Sequence, residues 1–134
     1  MRLWNWKSRL ATYIVRGASE PYRFGQNDCA IFASGAVKAV CGKDPMAPYR
    51  GKYRTKSQGL ILVGKDGFAD HIAVFKAALD EIAPAFAAPG DVAIIDDPFA
   101  GPSLGVVQGE FVYALGPSGL GIAPRSTMTR ALRT

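Results

Sequence analysis

Apolar residues at Leu3, Trp6, Leu10, Tyr13 and Ile14 recur at helical spacing, which predicts a first helix over 3–16, stopped by Gly17. Residues 20–26, with Pro21 and Gly25, read as a loop. Asn27 and Asp28 carry the short polar side chains that cap helix starts. A second helix is therefore expected from about Cys29 to Val40, with Phe32, Ala33, Ala36, Val37 and Val40 facing a core. Its small residues imply close packing on another element, and Gly42 ends it. Pro45, Pro48 and Gly51 make 43–53 a loop. Thr55 or Ser57 can open a third helix through Leu62 and Val63, stopped by Gly64 and Gly67. A fourth helical segment is expected near 69–78, with Ile72, Phe75 and Leu79 on one face.

The second half changes period. Asp91 to Ile95, reached through Pro89-Gly90, reads as a strand. So do Leu104 to Val107, Glu110 to Leu115 and Leu120 to Ala123, separated by turns at Gln108-Gly109 and at 116–119. Asp96 to Pro102 reads as a turn-rich loop. Helices followed by an antiparallel meander predict an α+β fold, with 1–134 as one domain and no internal repeat or linker.

Composition narrows the picture. Of 134 residues, 49% are hydrophobic and 20% charged, which suits a globular chain with a real core. Its apolar runs are far too short for a membrane span, and the N-terminal stretch lacks the apolar core of a signal peptide, so cytoplasmic synthesis is expected. The net charge of +5 gathers at Arg50 to Lys56 and again at Arg125, Arg130 and Arg133. These clusters read first as solvated loops and a charged tail, and second as contacts for an acidic partner. Without a nucleic-acid motif, nucleic acid ranks low. Tyr49 and Tyr53 fall within the first cluster, as an aromatic-basic loop that could touch a glycan or protein. Trp4 and Trp6 read as core, although Trp4 lies off the main helical face. One histidine and two cysteines exclude a zinc site, and no cofactor is expected. Cys29 and Cys41, roughly 18 Å apart on one helix, are too distant for a disulfide.

Cys29 carries the candidate chemistry. At a helix start, free amides and the positive end of the helix dipole favour thiolate, and the same amides can hold an oxyanion. Asp28 reads as a capping residue and Asp91 as a turn residue fixing the start of its strand.

Phe24-Gly25-Gln26-Asn27-Asp28-Cys29-Ala30-Ile31-Phe32 resembles the nucleophile segment of the NlpC-like cysteine peptidases, where an Asp-Cys pair opens a helix. Ala88-Pro89-Gly90-Asp91-Val92-Ala93-Ile94 resembles their Pro-Gly-Asp turn into the first core strand. Leu104-Gly105-Val106-Val107-Gln108-Gly109 resembles their histidine-bearing strand. The three segments occur in that superfamily's order, and the resemblance covers roughly 20–125. The chain also resembles a group of phage and prophage proteins with a Gly-x-x-Asp-Cys segment and the same Gly-Asp strand. The resemblance implies a papain-like NlpC-type fold with Cys29 at the nucleophile position.

It also exposes a departure. The histidine's place is taken by Ser103, which cannot act as a base near neutral pH. His71 is the remaining imidazole, on a different predicted helix. The leading expectation is thus a phage or prophage tail-tip component with a degenerate peptidase fold, carried in a virion and docked on other tail or baseplate proteins. The alternatives are an active cysteine hydrolase of peptidoglycan peptides with an unconventional base, and a murein- or partner-binding module.

Overall fold

The computed structural model describes residues 1–97 and 101–134. Its elements run α1 (Trp6–Gly17), α2 (Cys29–Cys41), α3 (Lys56–Gly64), α4 (His71–Ala78), β1 (Asp80–Ile82), β2 (Val92–Asp97), β3 (Gly101–Gln108), β4 (Phe111–Gly116), β5 (Gly119–Pro124) and β6 (Met128–Arg133). Four helices precede an antiparallel sheet of order β1-β6-β2-β3-β4-β5, so the α+β class holds.

Helix starts follow local chemistry. The side chains of Asp28, Thr55 and Asp70 each accept from the backbone N–H three residues on, capping α2, α3 and α4. Gly42 stops α2 in the left-handed conformation at φ 82°. α2 is the central helix, buried along nearly its whole length. Its small residues permit the close approach. A Cβ on Gly35 would run into the Tyr13 ring, and Tyr13 donates to the Phe32 carbonyl at 2.8 Å.

The sheet is buried on both faces over β2, which is why Val92-Ala93-Ile94-Ile95 is continuously apolar instead of alternating. Val92, Ile94, Leu104 and Leu132 pack with α2, α4 and Tyr49 and Tyr53 in the main core. Leu10, Ile14, Phe32, Val40, Val106 and Leu115 join α1 and α2 to the sheet. Ala93, Ile95, Val107, Val112 and Met128 form a smaller cluster with Ala87, after the turn of 3-10 helix at Pro84–Phe86.

Several sequence expectations are corrected. Arg130 and Arg133 belong to β6, an interior strand between β1 and β2, rather than to a solvated tail. Arg125 donates to the carbonyls of Pro84, Ala87 and Gly109 and fastens the turns at that end of the sheet. Tyr49 and Tyr53 are core residues, while Lys52 and Arg54 point outward. Trp4 is 92% exposed rather than core, whereas Trp6 packs against the α1–α2 cluster under the Arg2 guanidinium. The first helix begins at Trp6, later than expected. Residues 98–100 of the expected turn-rich loop lie outside the described residues. Among the described residues, no helix is long and apolar enough to cross a membrane.

Candidate functional site

The start of α2 is held from three sides by one carboxylate. Asp28 is 3% exposed; its Oδ1 accepts from the Ile31 N–H at 2.8 Å, and its Oδ2 from the Gly25 N–H at 2.9 Å and the Tyr53 hydroxyl at 2.5 Å. Gly25 stands at φ 81°, and a Cβ there would meet the Tyr53 carbonyl, so this position needs glycine on both counts. Arg23 pairs with Asn27, closing the loop that leads into Asp28. The capping role expected for Asp28 is met, and the residue also ties the loop containing Tyr53 to the helix start.

Cys29, the first residue of α2, lies partly exposed in a cavity of about 500 Å³. Tyr22, Phe24, Tyr53, Leu60, His71 and Ser103 are among the residues around it. Thus Cys29, Ser103 and His71, which come from α2, β3 and α4, share one cleft. Ser103 reaches Cys29 because β3 pairs with β2 in the centre of the sheet, against which α2 packs.

Electrostatics at the thiol run against the expectation of a favoured thiolate. Burial pushes the Cys29 thiol up. The Leu104 backbone N–H and the Ser103 hydroxyl donate toward the sulfur and pull it down, Asp28 pushes it up, and the Ala30 N–H pulls it down. The net direction is upward. A helix start does supply amides, but here the nearest charge is the capping carboxylate and the cleft walls displace water.

The tyrosines respond to the same surroundings. Tyr22 is pushed up to about 12, first by burial and then by Cys29 and Asp28. Tyr53 is pushed up by burial and by its bond to Asp28, so it remains a neutral donor. His71 opens α4 behind its cap Asp70 and lies 5.8 Å from Tyr53, ring centroid to ring centroid. Burial pushes its imidazole down, partly offset by Asp28 and Asp70 and reinforced by Lys56. Its Nε2 is buried without a hydrogen-bond partner among the described residues. The neutral ring is therefore the favoured form.

Chemically, the cleft offers a protonated thiol, the Tyr22 phenol, the Tyr53 phenol already donating to Asp28, a hydroxyl and a neutral imidazole on mostly apolar walls. Ser103 stands at the sulfur, and His71 lines the same cleft. Among the described residues, no group of three or more His, Cys, Asp or Glu side chains is arranged to hold a metal ion. Sequence reasoning missed Tyr22 and Tyr53 as cleft residues. The Gly25 turn and the loop after Met46 bring them in, and neither carries a periodic signal.

A comparison with curated proteins gives no match. The family comparison matches the whole length, residues 1–134, and the chain belongs to the family described as domain of unknown function, DUF6950.

Proposed function

We propose that this protein has a papain-like, NlpC-type fold in catalytically degenerate form and serves as a structural component of a phage or prophage tail, with its cleft binding rather than cutting. The observation that carries the reading is Ser103 at the Cys29 sulfur, in the place where the resembling peptidases hold a histidine. A serine hydroxyl cannot take the thiol proton near neutral pH, nor deliver one to a leaving amine, the role histidine fills in the triad mechanism. Burial holds the proton on Cys29 more firmly still. Losing an acid–base group costs about 100- to 10,000-fold in rate. The exposed Trp4 supports docking on a partner, since a large aromatic in water is a ready interface anchor. The basic loop supports the same role through Lys52 and Arg54.

The test compares wild type with Cys29→Ala on cell-wall fragments, read by mass spectrometry, alongside proteomics of purified particles. The expected result is intact fragments with both proteins, and this chain present in particles. Cleavage by wild type that vanishes in Cys29→Ala would overturn the degenerate reading. Absence from particles, with a monomeric and partner-free protein in lysate, would remove the tail role.

His71 favours a second reading, an active cysteine hydrolase with an unconventional base. It is the one imidazole of the chain and lines the same cavity as Cys29. Under that reading His71→Ala abolishes cleavage as fully as Cys29→Ala does.

A further inference from the structure

A second concavity lies outside the Cys29 cleft. It is an open groove of about 650 Å³ between α1 and α2, lined by Ser8, Arg9, Thr12, Tyr13, Arg16, Gly35, Lys38, Ala39, Asp44 and Arg50. It shares none of its lining residues with the Cys29 cleft. Its floor exists because Gly35 lacks a Cβ and lets Tyr13 lie against α2. Four cations face one carboxylate. That carboxylate is already engaged: Asp44 accepts from Arg50 at 2.9 and 3.0 Å and from the Ser34 hydroxyl at 2.6 Å. Burial pushes Asp44 up, but its bonds to Arg50 and Ser34 and the Arg50 and Lys38 charges together hold it below the usual carboxylate range.

The cations divide into two kinds. Arg9 and Arg50 are held in place, Arg9 by the Ala39 carbonyl at 2.8 Å and Arg50 by Asp44. Arg16 and Lys38 are exposed and make no side-chain hydrogen bond or ion pair among the described residues. Fixed, planar guanidiniums with spare N–H groups can each donate to the tetrahedral oxygens of a phosphate, and exposed cations beside them can close on the remaining charge. Ser8 and Thr12 add hydroxyls on the exposed face of α1. The one aromatic ring, Tyr13, is stacked on Phe32, with its hydroxyl bonded to the Phe32 carbonyl, and so offers no platform for a nucleobase.

We propose that the α1–α2 groove is an anion site for a phosphate group, free or carried on a sugar. Arg9 and Arg50 are the fixed donors, and Arg16 and Lys38 the closing cations. This assignment is independent of any chemistry at Cys29.

The test is an NMR titration of the full chain with inorganic phosphate, with glucose 6-phosphate and with a mixed-sequence single-stranded DNA oligonucleotide. The expected result is saturable shifts at the amides of Thr12, Gly35 and Lys38 with glucose 6-phosphate. An affinity equal to that of inorganic phosphate identifies a free-phosphate site, and tighter binding a sugar-borne one. In Arg16→Gln/Lys38→Gln, where neither side chain has a hydrogen bond or ion pair to lose among the described residues, affinity should fall about tenfold or more, with thermal stability changed by less than in Arg50→Gln. Lys52→Gln/Lys65→Gln removes the same charge outside the groove and should bind as wild type. No saturable shift with either phosphate probe, equal weakening in both double variants, or binding of the oligonucleotide alone would overturn the proposal.

Discussion

Cys29 lies under opposed influences whose balance can be measured. Burial and the Asp28 charge hold the proton on sulfur, while the Leu104 N–H, the Ser103 hydroxyl and the Ala30 N–H stabilise its loss. Alkylation by iodoacetamide should therefore follow a pH profile displaced above that of a free cysteine, ordinarily about 8.5. Ser103→Ala removes a donor to the thiolate and should displace the profile further upward. A wild-type profile at or below the free value, or a downward move in Ser103→Ala, would contradict this balance. His71 gives a second residue-scale prediction. Its folded-state pKa is depressed by burial, so between that value and the unfolded value of about 6.5 the unfolded chain binds more protons. The stability due to its neutral state is complete above about pH 6.5 and is lost as pH falls through the folded-state pKa. Urea midpoints should drop between pH 7.5 and 5.5 in wild type, and drop less in His71→Gln. Parallel curves for the two proteins would place the pH dependence elsewhere.

The start of α2 depends on a carboxylate with three donors, which makes the element fragile at one point. Asp28→Ala removes a helix cap, worth about 0.5–2 kcal/mol, and leaves the Tyr53 hydroxyl and the Gly25 N–H unpaired at about 1–3 kcal/mol each where no water reaches them. A loss of about 3 kcal/mol in chemical denaturation is expected. A loss under about 1 kcal/mol would mean that water replaces the carboxylate easily. Such caps are also the reason α2 and α3 are legible in sequence: Asp28 and Thr55 act on amides three residues away, so the signal is local, whereas α1 and α4 show through their apolar spacing and the Asp70 cap emerges only in the fold. β6 was not legible. Its arginines resembled a tail, and its pairing with β2 shifts register between Ile94 and Ile95, which breaks a clean alternation. The three-residue β1 is too short to show a period. The loop at 49–54 misled because its charges are outward and its tyrosines inward, a division set by the core that closes over it. In the cleft, the order of motifs pointed to Cys29 and Ser103. Tyr22 and Tyr53 arrive by turns whose geometry only the folded chain defines.

At the scale of the whole molecule, Asp91 joins segments far apart in the chain. It is 1% exposed; its Oδ2 accepts from the Ala88 N–H at 2.8 Å and its Oδ1 from Arg2 at 2.9 Å and the Thr134 N–H at 3.0 Å. Arg2 also donates to the Pro89 carbonyl at 2.8 Å and lies 4.3 Å from the Trp6 ring centroid, and so couples the start of α1 to the turn before β2. The turn itself depends on Gly90, at φ 93°, where a side chain would crowd Arg2 and Trp6. The turn residue expected from the sequence is thus a clasp between the helical layer and the sheet. Removing it strands several donors at once. Asp91→Ala should cost about 2–4 kcal/mol, since Arg2 is partly exposed and can recover water while the backbone donors cannot. Arg2→Ala should cost less, and the two changes should not add, because both break one ion pair. A double-mutant cycle by urea denaturation should return a coupling of about 0.5–3 kcal/mol. Hydrogen exchange at 88–93 and 131–134 should quicken in Asp91→Ala while α3 and α4 keep their protection, since neither helix supplies a partner to the clasp. Additive single effects, or exchange that rises evenly over the whole chain, would show that the segments are held together by the core alone.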